Sequence, residues 1–282
     1  MAEQLMLALY GLHRGSSVDP DTLTRRARLA EEAGFEALWV GDHVALPAGL
    51  PDSSYQPRLE ALVTLTYMAA VTTRVRLGAA VIVLPQRQPV LLAKQLTSID
   101  VLSGGRLTVG VGVGYVEAEL RALGASLADR GARTDEYLAA MRVLWDEPTP
   151  TVEGRYLSFA GVLQRPRPVQ RPHPPIVIGG HSPAALRRAV ERGDGWFGWD
   201  LDVDATAAAL ARLRGAASRY ERPAELGTLE ISIAPPVTPS LETARRYAEL
   251  GVHRLVVQPP TMEGSAMDEL IASVGQELIA RL

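Results

Sequence analysis

The chain contains no cysteine. This absence excludes disulfide bridges, thiolate metal sites, iron–sulfur clusters and a cysteine nucleophile, and it suits a reducing compartment. Redox chemistry would therefore have to come from a bound cofactor. Lys94 is the only lysine, and it lies in a predicted helix. A Schiff-base aldolase is disfavoured, because that chemistry needs a lysine at the end of a barrel strand.

Long apolar runs and an excess of one charge are also missing. No run approaches the ~20 apolar residues that span a bilayer, and the first residues lack the pattern of a signal peptide. We therefore expect a cytoplasmic protein with no membrane partner. The net charge of −3 is spread along the chain, which gives no electrostatic footprint for nucleic acid. The expected partner is a small-molecule substrate.

Metal-ligand spacings are absent as well. Neither His-x-His nor His-Glu-x-x-His occurs in the sequence, and these are spacings that bring ligands onto one ion. No metal site is predicted, and a metal-dependent hydrolase is disfavoured.

What the chain does contain is a regular alternation of β-rich runs and amphipathic helical stretches, typical of parallel βαβ units. Eight strands in 282 residues predict an α/β fold, a (β/α)8 TIM barrel, as a single domain over 1–282. A Pro- and Gly-rich segment, 146–174, is predicted to be a short insertion with a hairpin around 154–163. The predicted strands are 4–10, 37–40, 75–83, 106–111, 175–178, 195–197, 229–234 and 254–258.

In such a barrel the active site lies at the carboxyl ends of the strands. His13, His43 and His181 each follow a predicted strand there. We single out Asp42 and His43 as the candidate catalytic pair, because a histidine titrates near neutral pH and can move a proton. A histidine in this place can also simply cap the next loop, so both interpretations stay open.

Two glycine-rich strand ends are candidate cofactor contacts. In "GVGVGY" the third glycine comes too early for a dinucleotide fingerprint. Gly112, Gly114 and Tyr115 are therefore interpreted as a tight strand-to-loop passage under the planar ring of a cofactor. The alternative is that these glycines only allow close packing. In "IGGHSP" a strand runs into a helix with unpaired first amides, which favours a bound phosphate over capping alone. The residues of this second segment are Gly179, Gly180, His181 and Ser182.

Small and aromatic residues are also predicted near the barrel interior. Ala80 and Val81 lie late in the third predicted strand, where a broad ring could rest against the backbone. Trp196, Phe197 and Trp199 follow the sixth strand and either wall an apolar substrate pocket or belong to the core.

Four ordered segments together resemble the luciferase-like superfamily of flavin and deazaflavin oxidoreductases. They are "LAEEAGFEALWVGDHV", "RVRLGAAVIVLPQRQPVLLAKQLTSIDVLSGGRLTVGVGVGY", "RGARTDEYLAAMRVLW" and "PPIVIGGHSPAALRRAVERGDGW", and they cover almost the whole chain. The Asp42-His43 pair and the "GARTDEY" segment look most like the branch that uses the deazaflavin coenzyme F-420.

This resemblance implies the placement of several residues. His43 would lie beside the reactive face of the cofactor ring with Asp42 close by, Ala80-Val81 would form a non-proline cis peptide behind the ring, and cofactor phosphate would bind at Gly179-Gly180. It also implies a homodimer. Sugar-phosphate dehydrogenases of this branch carry a glutamate and a tryptophan where this chain has Tyr115 and Pro47, so a different substrate is expected, apolar or conjugated.

The expected function is hydride transfer between coenzyme F-420 and a small organic substrate, with His43 moving the proton. The first alternative is a monooxygenase that uses FMN, dioxygen and a partner reductase. The second is a flavin-binding protein without turnover, because a fold does not determine a function.

Overall fold

Eleven strands and nine helices are found in a computed structural model that describes residues 4–49, 56–262 and 264–282. The strands are Met6–Tyr10 (β1), Ala37–Val40 (β2), Arg76–Ala79 (β3), Ile82–Val83 (β4), Leu107–Gly112 (β5), Val152–Glu153 (β6), Ser158–Phe159 (β7), Ile176–Gly179 (β8), Gly195–Trp199 (β9), Glu230–Ala234 (β10) and Arg254–Val257 (β11). The helices are Pro20–Glu32 (α1), Ala61–Val71 (α2), Pro89–Leu102 (α3), Glu117–Ala122 (α4), Arg130–Asp146 (α5), Pro183–Arg192 (α6), Val203–Ala217 (α7), Leu241–Glu249 (α8) and Ala266–Glu277 (α9). None of these helices is long and apolar enough to cross a membrane.

The parallel strands close into a barrel of eight staves, which confirms the predicted fold. Strand β1 pairs with β2 and β11, and β8, β9, β10 and β11 follow one another around the sheet. Strands β3 and β4 form one interrupted stave, since both pair in parallel with β5. The continuous strand predicted over 75–83 is therefore wrong in one respect: the chain leaves the ladder at Ala80 and Val81. An apolar run of small residues carries no signal for such an interruption.

The amino-terminal end of the barrel is closed by a buried arginine and its carboxylate partners. Arg254, on β11, is 4% exposed. Its guanidinium donates to Glu36 Oε2 at 2.8 Å and to Glu230 Oε1, so the arginine has carboxylate partners inside the barrel. Ala8, Ala37 and Val256 fill the interior above it. A ligand can therefore approach the interior from the carboxyl ends of the strands.

The segment 146–174 lies outside the barrel and carries the predicted hairpin. Strands β6 and β7 pair at Val152 with Phe159 and at Glu153 with Ser158, so the hairpin starts two residues earlier than expected. The carboxylate of Glu136, on α5, accepts hydrogen bonds from backbone N–H groups within the turn, including that of Tyr156 at 2.7 Å. Lys94 lies on α3, as predicted, and donates to the carbonyl oxygen of Arg165 in this segment.

A capped loop between α2 and β3 gives a test of fold stability. Burial alone would raise the pKa of Glu31, but hydrogen bonds from the N–H groups of residues 73–75 and the Thr73 hydroxyl outweigh burial and lower this pKa to about 2. Since the folded-state pKa is depressed, this stabilisation is complete above pH ~4.5 and is lost as the pH falls towards about 2. We expect Glu31→Gln to lower the free energy of unfolding by about 1–2 kcal/mol at pH 7, after allowance for solvent screening.

Urea unfolding at pH 7 and pH 3 measures this effect. The difference between wild type and Glu31→Gln should shrink at pH 3. Glu32→Gln, on an exposed neighbouring position of α1, is the matched control and should differ little from wild type at either pH. A constant difference across pH would contradict the ionic origin of the stabilisation.

Candidate active site

His43 follows β2 at the carboxyl end of the barrel, and its side chain is 23% exposed. Its Nδ1 lies 3.0 Å from Glu119 Oε2, and its Nε2 lies 3.4 Å from the Tyr115 hydroxyl. The His43 and Tyr115 rings meet edge to face with their centres 5.9 Å apart. One nitrogen of the ring is thus held by a carboxylate, and the other lies beside a hydroxyl that is largely exposed.

Glu119, on α4, is 3% exposed and is the charged partner of this histidine. Its Oε1 accepts hydrogen bonds from Val44 N at 2.6 Å and from Ala45 N at 3.1 Å. Burial alone would raise the pKa of Glu119, but the hydrogen bond to His43 and these backbone donors outweigh burial and lower it. An ionised carboxylate only accepts hydrogen bonds, so Nδ1 carries the proton. Nε2 of neutral His43 is then the proton acceptor of the ring.

Asp42 is 4% exposed, and its side chain contacts neither His43 nor Glu119 in the hydrogen bonds that follow. Its carboxylate accepts from Val83 N at 3.0 Å and from Arg87 Nε at 3.0 Å, and Arg87 Nη2 is a third donor. The same Nη2 also contacts Glu60 Oε1 at 2.6 Å, and Glu60 caps the first turn of α2. Asp42 therefore joins β2, β4 and α2 into one unit and positions the loop that carries His43.

The bond between Ala80 and Val81 is a non-proline cis peptide, as the resemblance implies. Val81 packs against the glycines of the neighbouring strands. A Cβ atom added to Gly112 would lie 2.4 Å from Val81 Cγ2, and one added to Gly179 would lie 2.7 Å from Val81 Cγ1. At Gly110 an added Cβ would meet the Ala79 carbonyl oxygen. These glycines therefore make room for the bulge of the interrupted stave, and Val81 is the side chain presented between them.

The segment between β8 and α6 is exposed and partly used for capping. Gly180 has a φ of +116°, a conformation that favours glycine. Ser182 is the N-cap of α6, and its hydroxyl accepts from Ala185 N at 3.2 Å. His181 Nε2 accepts from Trp199 N at 3.1 Å. Burial, with the charge of Arg212, lowers the pKa of His181, which favours the neutral ring. The backbone at Gly180 remains open to approach.

The model of the luciferase-like monooxygenase family matches residues 5–274. The chain belongs to this family. An uncharacterized protein of Mycobacterium tuberculosis is 34% identical over 266 residues, which are 89% of this chain and 92% of that protein. An FMNH2-dependent dimethylsulfone monooxygenase of Pseudomonas putida is 29% identical over 81% of this chain and 62% of that protein. A solved F-420-dependent secondary alcohol dehydrogenase, in complex with an F-420–acetone adduct, has the same fold: its TM-score is 0.80 at 16% identity, over 98% of this chain and 99% of that one.

The mouth of the luciferase-like barrel is lined by aromatic rings: Trp199, which was predicted either to wall a pocket or to belong to the core, His13, and Tyr10, which was not assigned to the site. The Tyr10 ring lies 5.1 Å from that of Trp199 and 5.3 Å from that of His13. His13 Nε2 accepts from Gly41 N at 3.3 Å. Burial above all lowers the pKa of His13 to about 3, and the neighbouring arginines lower it further. His13 is therefore a neutral part of the wall.

Glu119 is a residue of the candidate site that was not predicted from the sequence. It lies 76 positions from His43, so no local spacing links the two residues. A weak signal exists, because an acidic side chain in the first turn of a short helix after a glycine-rich strand is well placed for the barrel mouth. That signal alone does not distinguish Glu119 from Glu117.

Proposed function

We propose that this family member is a coenzyme F-420-dependent oxidoreductase that transfers a hydride between the deazaflavin and a small organic substrate. The family consists of oxidoreductases and monooxygenases, and the proposal selects one chemistry among them. The observation that supports it best is the pair of His43 and buried Glu119 at the open end of the barrel. A hydride transfer to or from a carbonyl or imine needs a proton to move as well.

His43 can move that proton at Nε2. The Glu119 carboxylate holds Nδ1–H and stabilises the imidazolium that forms when Nε2 takes a proton. The Tyr115 hydroxyl, at 3.4 Å from Nε2, can orient a substrate oxygen or relay the proton. Asp42 keeps the loop in place without touching the reacting atoms. Coenzyme F-420, when bound, supplies the hydride chemistry at its ring.

The residues at the barrel mouth fit a tricyclic cofactor with a phosphate. Val81 presents a partly buried apolar surface between Gly112 and Gly179, which suits the flat face of a ring. The exposed backbone at Gly180 precedes the amino terminus of α6, a place that favours anions. We propose these residues for the cofactor: Ala80, Val81, Gly112, Gly114 and Tyr115 beside the ring, and Gly179, Gly180, His181 and Ser182 around the phosphate.

An FMN-dependent monooxygenase is the second candidate function. The observation that favours it is the 29% identity with an FMNH2-dependent dimethylsulfone monooxygenase over 81% of this chain. The same barrel mouth would accept the ring and the single phosphate of FMN. Turnover would then require dioxygen and reduced flavin from a partner reductase.

Separate titrations of the cofactor-free protein with oxidised coenzyme F-420 and with FMN test the proposal. Trp199 lies at the mouth, so intrinsic tryptophan fluorescence and cofactor absorbance both report binding. We expect a Kd of about 1–10 µM for F-420 and a Kd at least tenfold higher for FMN. The phosphate-free deazaflavin core is the matched ligand and should bind at least tenfold more weakly than F-420. Preference for FMN would support the monooxygenase, and binding of neither cofactor would overturn both functions.

A homodimer and a cytoplasmic location stay predictions. Helix α2 is apolar on its outer face, where Val63 and Tyr67 are exposed, and a second copy of the chain would cover such a face.

A further inference from the structure

Arg14 lies in the barrel mouth, in the loop directly after His13. Its Nη2 donates to Gln258 Oε1 at 3.2 Å, at the carboxyl end of β11. Its guanidinium carbon lies 5.4 Å from the centre of the Tyr10 ring, and Tyr10 contacts the Trp199 ring. The side chain is half-buried. A planar cation is thus held against the aromatic wall of the proposed substrate site.

A second arginine lies directly opposite. Gly15 N donates to Pro57 O at 2.8 Å and Leu59 N donates to His13 O at 2.7 Å, which makes Arg14 and Arg58 an antiparallel bridge pair. In this type of pair the two Cα atoms are about 4.5 Å apart and the side chains leave the ladder on the same side. Like charges placed directly opposite destabilise a ladder. The bridge therefore places two guanidinium groups side by side at the barrel mouth.

Arg14 has no ion pair with a carboxylate within residues 4–49, 56–262 and 264–282; its contacts there are the Gln258 amide and the Tyr10 ring. Burial lowers the pKa of Arg14, Tyr10 partly offsets that effect, and Arg58 adds to the lowering. The fully buried arginines of the described residues have carboxylate partners, and so does half-buried Arg87, whereas half-buried Arg106 and Arg142 donate to backbone carbonyl oxygens. These partners are Asp268 for Arg26, Asp42 for Arg87, Asp135 for Arg188 and Glu36 for Arg254.

We propose that Arg14, with Arg58 beside it, binds an anionic group of the substrate, in the simplest case a carboxylate. The guanidinium fork would bind the carboxylate, and the apolar or conjugated body of the substrate would lie against Tyr10 and Trp199. This inference rests on the proposed function in one respect: the substrate occupies the mouth that His43 faces. A delocalised oxyanion is the group that this arginine pair would bind. Such an anion has two sources, the substrate and a reduced cofactor ring. The substrate is the source that we propose.

Benzoate and benzamide are suitable probes, because they share one shape and differ in charge. Binding to the cofactor-free protein is followed by tryptophan fluorescence, so the result does not depend on cofactor use or turnover. We expect a benzoate Kd at least tenfold lower than the benzamide Kd. In Arg14→Gln the benzoate Kd should rise at least tenfold while the benzamide Kd stays within twofold. Arg14→Lys, which keeps the charge but loses the fork, should retain part of the preference.

The matched control is Arg142→Gln. Arg142 is a half-buried arginine that lines a cleft of about 880 Å³ between α5 and α6, and burial lowers its pKa as well. This cleft lies on the outer helical layer, so a benzoate site at the barrel mouth is unaffected by the control. Loss of benzoate binding in Arg142→Gln but not in Arg14→Gln would overturn the proposal.

Four further outcomes decide the inference. Equal affinity of wild type for benzoate and benzamide would overturn it, and so would an unchanged benzoate Kd in Arg14→Gln. If Arg14→Gln weakens F-420 binding and leaves benzoate binding intact, the anion belongs to the cofactor. A measurement on the wild-type protein tests the proposal even if a variant does not fold. Phenylglyoxal modifies arginine, and peptide mass spectrometry shows which arginine is modified. Benzoate, unlike benzamide, should slow the modification of Arg14. Absence of that protection would overturn the proposal too.

Discussion

His43→Gln is expected to lower kcat by about 10²–10⁴-fold while it leaves the Kd for the cofactor within about threefold. Glutamine can still donate a hydrogen bond to Glu119, but its amide does not take up or release a proton at neutral pH. The proposed cofactor contacts are the bulge at Val81 and the backbone at Gly180, and this substitution touches neither of them. The measurements are steady-state turnover with a reducible substrate and the F-420 titration on the same sample.

A matched control comes from a histidine outside the site. His173 is buried against Trp145 in the segment that precedes β8, and His173→Gln should retain kcat when activity is corrected for the folded fraction. Full activity in His43→Gln with normal cofactor binding would sink the assignment of His43 as the proton-moving residue. Loss of cofactor binding in His43→Gln would instead make this histidine a binding residue.

Glu119→Gln separates positioning from proton transfer in the same experiment. The amide keeps a hydrogen-bond acceptor for Nδ1–H but removes the negative charge, so the imidazolium form of His43 loses its counter-charge. We expect a moderate loss of kcat and a displacement of its pH profile towards acidic pH. An unchanged pH profile would show that the charge of Glu119 does not act on His43 and that Glu119 only holds the loop at Val44 and Ala45.

Asp42→Asn is expected to lower the free energy of unfolding by about 2–4 kcal/mol. The Asp42 side chain is 1% exposed and accepts hydrogen bonds from Arg87 and Val83 N. Removal of its charge leaves the half-buried Arg87 guanidinium with Glu60 as its remaining ionic partner among the described residues, and the amide nitrogen of the new side chain must face a donor. Urea unfolding at pH 7 measures the loss.

Glu60→Gln is the control for this buried network. The Glu60 side chain is 33% exposed and contacts the same Arg87 nitrogen, so water compensates for much of what is lost. We expect it to cost less than about 1 kcal/mol. Equal losses in the two variants would contradict the view that the inner carboxylate anchors the loop of His43.

The amino ends of three helices show which features depend on local chemistry. Asp19 accepts a hydrogen bond from Thr22 N at the start of α1, Ser182 from Ala185 N at the start of α6 and Ser240 from Thr243 N at the start of α8. Each of these caps depends on residues within one turn of each other, so the sequence alone carries the signal for a helix start.

The interior of the barrel was harder to predict. Gly112 was predicted to be either part of a passage under a ring or a packing glycine, and in the structure Val81 lies against it. That contact joins two staves whose residues are distant along the chain. Periodicity places a residue on the inner face of a strand, but it does not tell which neighbour fills the space.

The sequence by itself determined the class of fold, the order of the strands and the place of Asp42 and His43 at a strand end, because alternating hydrophobic periods and helix caps are local properties of the chain. Only the tertiary structure decided that Asp42 is tied to Arg87, that Glu119 holds His43 and that Arg14 faces Arg58. Each of these pairings depends on barrel closure, which brings together charges that lie far apart in the sequence. Their electrostatic effects depend on distance and burial, and both exist only in the folded protein.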